Sequence, residues 1–157
     1  MRLVFVLALA FFLTLASARA AEKKTFPAPL VDKMLKGWGA IDWGSSLDDF
    51  KKKFPDARQL ENGRWVSGKG EEDLAGVKVT AEYAFGKKEQ MSMVRFQPDA
   101  DGKKSMRKIL IEAGVLREGA KSNWQREGVS FVVAEVSGEQ FAILVDAKAG
   151  DQAEKKK

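Results

Sequence analysis

The clearest pattern in this chain is an alternation of apolar and polar side chains over residues 77–85. Apolar residues occupy every second position, and Lys78, Thr80 and Glu82 stand between them. Because successive side chains of a strand point to opposite faces, this alternation predicts a half-buried antiparallel strand. A loop containing Gly and Lys follows, and then a second apolar run over 91–96. The two segments together predict a β-hairpin.

The last third of the chain predicts a second hairpin. Apolar runs cover residues 129–136 and 141–145, and the Ser-Gly pair between them is a turn sequence. Trp124 marks the start of a further strand ahead of this hairpin, and a short strand around Trp65 precedes the first hairpin. Each hairpin is therefore expected to gain a third strand.

Two other segments carry apolar residues at the three- and four-residue spacing of an α-helix. The first follows Ser45 and Ser46, which are suited to cap a helix N-terminus, and Pro55 ends it. The second covers residues 104–113 and ends at Gly114, a residue favoured just past a helix C-terminus. The apolar faces consist of Leu47, Phe50 and Phe54 in the first helix and Met106, Ile109, Leu110 and Ala113 in the second.

These elements predict an α+β fold, an antiparallel sheet with two helices packed on one face. An offset of 59 residues pairs Trp65 with Trp124, and each half then consists of one helix followed by three strands. The two tandem units would cover residues 41–97 and 103–146. A duplication explains this similarity, and so does chance matching of two ordinary α+β segments, so both interpretations stay open.

The N-terminus has the features of a secretory signal peptide over residues 1–20. A positive start precedes an apolar run of 13 residues, Leu3 to Leu15, and Ala18 and Ala20 then form the small-residue pattern of a cleavage site. The run is short for a membrane span, which takes about 20 residues. An uncleaved anchor is the alternative interpretation. We expect cleavage after Ala20, no transmembrane segment in the mature protein, and a periplasmic or secreted location.

The segments that flank the predicted domain differ from it in composition. Pro27 and Pro29 disfavour a helix and predict an extended leader over residues 21–37, although the apolar pairs that follow allow one helical turn. A single α+β domain then covers 38–147. The tail, 148–157, is rich in Ala, Lys, Glu and Asp and is predicted to be disordered.

The composition excludes several kinds of chemistry. The chain has no cysteine and no histidine, so Ser/His/Asp and Cys/His catalysis, disulfides and the commonest transition-metal ligands are absent. Asp99, Asp101 and Gly102 match part of a calcium loop, but position twelve is Leu110 instead of the required Glu. We therefore predict no catalytic residue, no metal and no cofactor.

The charge of the chain is mildly positive. The signal segment holds Arg2 and Arg19 and no acid, so its removal lowers the formal net charge from +5 to +3. This value is too small for the electrostatic surface of a nucleic-acid-binding protein, and export argues further against such a partner. The acids of the loop at 71–73 could serve a carboxylate-only enzyme, but clustered loop acids are usually solvated surface.

These exclusions leave a non-catalytic binding domain that contacts a protein or a cell-envelope component. Contact would come from the exposed face of the sheet or from loops such as 68–74 and 86–90. The candidate contact residues are Trp38, which is flanked by glycines, and three basic residues of the first hairpin, Lys87, Lys88 and Arg95. The alternative is an inhibitor of a hydrolase, such as a β-lactamase or a lysozyme, that inserts a loop into its target.

A local pattern links this chain to known exported domains. The run Ile41-Asp42-Trp43-Gly44-Ser45-Ser46-Leu47, the stop at Pro55 and a hairpin after Leu74-Ala75-Gly76 resemble small bacterial domains of the β-lactamase-inhibitor-like kind. Outer-membrane assembly lipoproteins of the BamE type share that architecture. The resemblance covers residues 41–146 in layout and implies an α+β domain. The chain lacks both the lipid-bearing cysteine and the disulfides of these proteins, so it carries over no functional residue.

Overall fold

A computed structural model describes residues 28–86, 88–116, 118 and 123–148. The chain forms, in order, α1 (Ala28–Lys36), β1 (Gly37–Trp38), β2 (Ile41–Asp42), α2 (Leu47–Lys53), β3 (Arg58–Gln59), β4 (Trp65–Val66), β5 (Glu72–Leu74), β6 (Val77–Phe85), β7 (Met91–Pro98), a 3-10 turn (Gly102–Lys104), α3 (Met106–Glu112), β8 (Asn123–Arg126), β9 (Val129–Val136) and β10 (Glu139–Asp146). The predicted signal peptide, and all of the predicted tail except Lys148, lie outside the described residues.

Eight strands form one antiparallel sheet, in the order β3-β4-β6-β7-β10-β9-β8, with β5 paired to β6 beside this path. The two predicted hairpins are its centre, β6 with β7 and β9 with β10. The third strand of each half, β7 and β10, pair with each other. The predicted α+β class and the antiparallel sheet are therefore confirmed.

One row of paired side chains crosses the sheet. The order of its residue types is nearly the same whether the row is followed from one edge of the sheet or from the other. Its members, in sheet order, are Trp65, Tyr83, Val94, Leu144, Phe131 and Trp124. The offset that pairs the two tryptophans in the sequence thus pairs equivalent positions in the sheet. Whether duplication or chance produced this arrangement stays a prediction.

The helices pack on one face of the sheet and form a single core with it. In α2, the buried ring of Phe50 lies 4.9 Å from Tyr83 and 5.3 Å from Phe85, measured between ring centroids. In α3, Met106 and Leu110 are fully buried in the same cluster. The Ser46 hydroxyl accepts a hydrogen bond from the Asp49 backbone N–H and caps α2, as the sequence predicts.

The extended leader predicted for residues 21–37 is wrong over residues 28–36. These residues form α1, a helix additional to the two that the sequence predicts. Pro29 falls in the first turn, where a helix needs no backbone N–H donor, so it does not break the helix. Val31 and Met34 are buried, and the Met34 carbonyl accepts a hydrogen bond of 3.0 Å from the Trp43 indole. The folded region therefore begins before Trp38.

The helices within the described residues are all short. The longest, α1, has nine residues, and α2 and α3 have seven each. Within the part of the chain that the structure describes, no helix has the length and apolar character needed to cross a membrane. The predicted second helix, 104–113, is shorter than expected, because Lys104 belongs to the 3-10 turn and α3 spans only Met106–Glu112.

Candidate functional site

The side of the sheet opposite the helices is the candidate site, and we call it the open face. Its side chains alternate along each strand with those of the core, because neighbouring strand residues point to opposite faces. On the four central strands, β6, β7, β9 and β10, the strand register and alternation place the following residues on it: Lys78, Thr80, Glu82, Ala84, Met93, Arg95, Gln97, Ser130, Val132, Ala134, Val136, Glu139, Phe141, Ile143 and Val145. More than half of them are apolar.

The apolar residues are concentrated on β7, β9 and β10. Cross-strand pairing puts Ile143 beside Val132, Phe141 beside Ala134 and Val145 beside Met93. These residues, together with Val136, form what we call the apolar patch. Val136 is 61% exposed and the others are partly exposed.

No described helix covers the apolar patch, because α1, α2 and α3 all contribute to the core on the other side. An antiparallel sheet with one solvated face normally carries polar side chains there. A contiguous exposed apolar surface instead marks a site of interaction. The patch is therefore the strongest indication of a binding surface in the described structure.

A group of three charged residues borders the apolar patch. Glu82 is nearly buried, and its Oε2 lies 2.9 Å from Nη1 of Arg64 and 3.7 Å from Nη1 of Arg95. The Arg95 guanidinium also stacks on the Phe141 ring, with its carbon 4.3 Å from the ring centroid. Two guanidinium groups share one carboxylate, so this group carries one unbalanced positive charge.

Arg95 has hydrogen-bonding capacity to spare. Within the described residues, its Nε is buried without a hydrogen-bond partner, and its contact with Glu82 is longer than a hydrogen bond. The side chain as a whole is 24% exposed, so part of the guanidinium group is open to a ligand, whereas Nε itself is not. Stacking on Phe141 holds the group in one orientation, which favours recognition of a planar anion.

Trp38 lies in the core, although the sequence suggests that its flanking glycines leave it uncovered. It is 1% exposed, its indole N–H donates to Glu72 Oε2 at 2.9 Å, and its ring meets Phe96 edge to face at 4.6 Å. The reason is the tight turn after β1, which directs the ring inward. Trp38 and Arg95 thus lie on opposite sides of the sheet and do not form one surface.

The predicted lysines lie at the turn between β6 and β7. Lys88 is exposed there, and Lys87 lies outside the described residues. The turn is fastened to the start of α2, since the Leu47 N–H donates to the Glu89 carbonyl at 2.9 Å. Of the four predicted contact residues, the structure places only Arg95 on the open face.

Among the described residues, Tyr83 is the buried polar side chain whose pKa is most strongly shifted. Desolvation raises the pKa of its phenol, and the nearby Glu72 carboxylate raises that pKa further. The phenol therefore stays protonated at neutral pH. Its place in the central row of the sheet makes it a packing residue.

Other parts of the described structure offer less than the open face. Among these residues no group of three or more Asp, Glu, His or Cys side chains is placed to hold a metal ion. A cavity of about 460 Å³ beside α3 is lined by Lys104, Arg107 and Lys108, but also by Glu112 and Glu118. Its mixed charge does not define a ligand.

The sequence contains a signal for the apolar patch. The runs 129–136 and 141–145 do not alternate like residues 77–85, since apolar residues occupy neighbouring positions. Such continuous runs predict strands that are apolar on both faces. A single layer of helices covers only one of those faces.

Comparisons with known proteins identify no relative. The chain matches no protein-family model, no curated protein and no solved structure. The structure defines an α+β domain, and the resemblance to inhibitor-like exported domains stays a prediction.

Proposed function

We propose that this protein is a non-catalytic binding domain of the bacterial periplasm, or a secreted one, that contacts a protein or an envelope component through its open face. The observation that supports the proposal most directly is the uncovered apolar patch on β7, β9 and β10. Transfer of apolar surface out of water is favourable by about 25 cal/mol per Å², before the entropic cost of association is subtracted. A partner that covers the patch would gain this contribution.

The open face has the composition of a protein contact region. Contact regions are enriched in aromatic residues, Met and Arg, and the residues that dominate affinity lie near the centre of the contact. Met93, Phe141 and Arg95 fit this description, and Arg95 lies beside Ile143 in the strand register. The location rests on the signal-peptide pattern of residues 1–20.

The alternative, inhibition of a hydrolase by loop insertion, finds less support in the described loops. The 86–90 turn is fastened to α2, and the Gly44 N–H donates to the Met91 carbonyl at 3.0 Å beside it. In the 68–74 loop, Lys69 lies over the Phe54 ring at 4.8 Å. The 86–90 turn thus lies against the body of the domain, and the 68–74 loop contacts it through Lys69.

Capture from envelope extract tests the proposal. The purified protein is immobilised beside variants with an acid on the patch, Val136→Glu and Ile143→Glu, and a control with an acid elsewhere, Gln59→Glu. Gln59 is exposed on β3, away from the patch. We expect a partner, identified by mass spectrometry, that the wild type and the control retain and the patch variants lose.

The capture experiment also has outcomes that contradict the proposal. A partner that both patch variants retain would show that another surface binds it. A hydrolase captured in equal amounts and inhibited by the protein would favour the inhibitor function instead. Melting curves of each variant establish that lost capture does not come from unfolding.

A further inference from the structure

We propose that the open face binds an acidic amphipathic segment of a protein partner, whose apolar side chains cover the patch while one carboxylate pairs with Arg95. This inference rests on the proposed function and specifies the chemistry of the partner. It follows from three observations: the apolar patch, the charge beside it, and the distribution of the remaining basic residues.

The charge of the Arg64–Glu82–Arg95 group is not balanced within the group. Arg64 hydrogen-bonds Glu82 at 2.9 Å and satisfies that carboxylate, while Arg95 stays 3.7 Å from the same oxygen. The Arg95 guanidinium therefore keeps donors for a second carboxylate. A guanidinium binds a carboxylate through two parallel hydrogen bonds, which are stronger and more selective than a contact with a point charge.

Arg95 has apolar neighbours on β10. Arg95 lies against the Phe141 ring and next to Ile143, so a docked apolar segment would exclude water from it. Charge pairs strengthen when the local dielectric falls, and an unpaired guanidinium covered by apolar groups is costly. A partner that covers the patch must therefore bring an acid to this position.

A second copy of this chain fits the open face less well than an acidic segment. It would bring its own Arg64 and Arg95, with each Glu82 already shared between two arginines. Like charges would meet where these arginines lie on the twofold axis, and elsewhere the apolar patch of the second copy offers Arg95 no acid. Lys51 to Lys53 lie on α2 and Lys108 lies on α3, both across the sheet from the patch, whereas Lys78 is exposed on the open face. Among the described residues the open face therefore has no lysine cluster like that of α2 to attract an anionic membrane.

The test uses two fluorescein-labelled peptides of about 18 residues, or five helical turns. Both carry the same leucine face, and one has glutamates where the other has lysines. Fluorescence anisotropy measures their binding to the full chain. We expect the glutamate peptide to bind about tenfold more tightly or better than the lysine peptide, the factor that corresponds to 1.4 kcal/mol.

Variants locate the binding. Arg95→Gln should weaken the glutamate peptide about tenfold, a loss typical of one charge-assisted pair. Glu82 keeps Arg64 in this variant, so the fold is expected to survive. Arg95→Lys retains the charge without the planar fork and should restore only part of the affinity. Arg126→Gln is the matched control, because Arg126 is exposed on β8 and pairs only with Glu127 among the described residues.

Four results would overturn the inference. Equal binding of the two peptides, or no binding of either, would show that a carboxylate of the partner does not contribute to binding. Vesicles containing phosphatidylglycerol that bind while both peptides do not would indicate a membrane surface. A dimer that Val136→Glu dissociates in size-exclusion chromatography would indicate a second copy. A captured partner that is lost with Val136→Glu but kept with Arg95→Gln would refute this chemistry and leave the proposed function standing.

Discussion

Tyr83 is the only tyrosine of the chain, and its burial determines how it titrates. The pKa of the folded phenol is raised above the unfolded value of about 10, so protons are held more tightly in the folded state. The stabilisation is complete below pH 10 and is lost as the pH rises above that value, because the unfolded chain then loses this proton first.

We expect urea-unfolding stability to fall progressively as the pH rises above about 10, the ordinary tyrosine pKa. Tyr83→Phe, which cannot ionise, should show a shallower decline, and the difference between the two proteins isolates the phenol from the lysines. Tyrosinate absorbance should appear only together with unfolding. Ionisation near pH 10 in the folded protein would contradict the burial described here.

Gly39 shows how one glycine allows Trp38 into the core. Its φ of +60° lies in the left-handed region, and a Cβ there would collide with the Tyr83 hydroxyl. Gly138 has a similar φ of +78°, but a Cβ there meets nothing within 4 Å. The two positions thus separate backbone strain from a steric collision.

Gly138→Ala should cost about 1 kcal/mol, the strain of a left-handed alanine, and Gly39→Ala should cost about 2 kcal/mol or more. Denaturant melts measure both losses. In a Tyr83→Phe background the extra cost of Gly39→Ala should shrink, since the hydroxyl is gone. Equal costs in both backgrounds would mean that the collision does not exist.

Helix α2 depends on one buried side chain. Phe50 is fully buried between Phe54, Tyr83 and Phe85, whereas Lys52 is exposed on the same helix and forms a 3.7 Å ion pair with Asp49. Phe50→Ala should lower the free energy of unfolding by about 3–5 kcal/mol. Lys52→Ala, the control, should change it by less than about 1 kcal/mol. A loss below about 1 kcal/mol for Phe50→Ala would show that α2 is not packed as described.

The elements that the sequence predicts well are those with a strong period or a clear cap. The alternation of residues 77–85 and the Ser46 cap both led to the observed element. Pro27 and Pro29 suggest an extended segment where the chain forms α1, because a proline in the first turn does not prevent a helix. The sequence also suggests an exposed Trp38, because only the turn after β1 in the folded chain shows that its ring points into the core.

The candidate site was predictable only in part. Arg95 was singled out from its place on the central hairpin, but its stacking on Phe141 depends on β7 pairing with β10, which local sequence does not specify. The apolar runs of β9 and β10 indicated two buried faces. Only the tertiary arrangement shows that helices cover one of them.

At the scale of the whole molecule, the N-terminal segment predicts a processed protein. The small residues Ala18 and Ala20 behind a short apolar run indicate cleavage after Ala20. Expression with the native start in a Gram-negative host, followed by intact-mass measurement of the periplasmic fraction, tests this. We expect a mass that lacks residues 1–20. A mass that still includes Met1 to Ala20 would indicate an uncleaved anchor.

The pairing of β7 with β10 also bears on how the chain folds. Among the described sheet pairs, β4–β6, β6–β7, β8–β9 and β9–β10 join segments close in sequence, whereas β7–β10 joins residues such as Phe96 and Ala142. Closing so long a loop carries an entropic cost that the hairpins do not share. We therefore expect the pairs within each half to form early and the seam between Val94 and Leu144 to form late in folding.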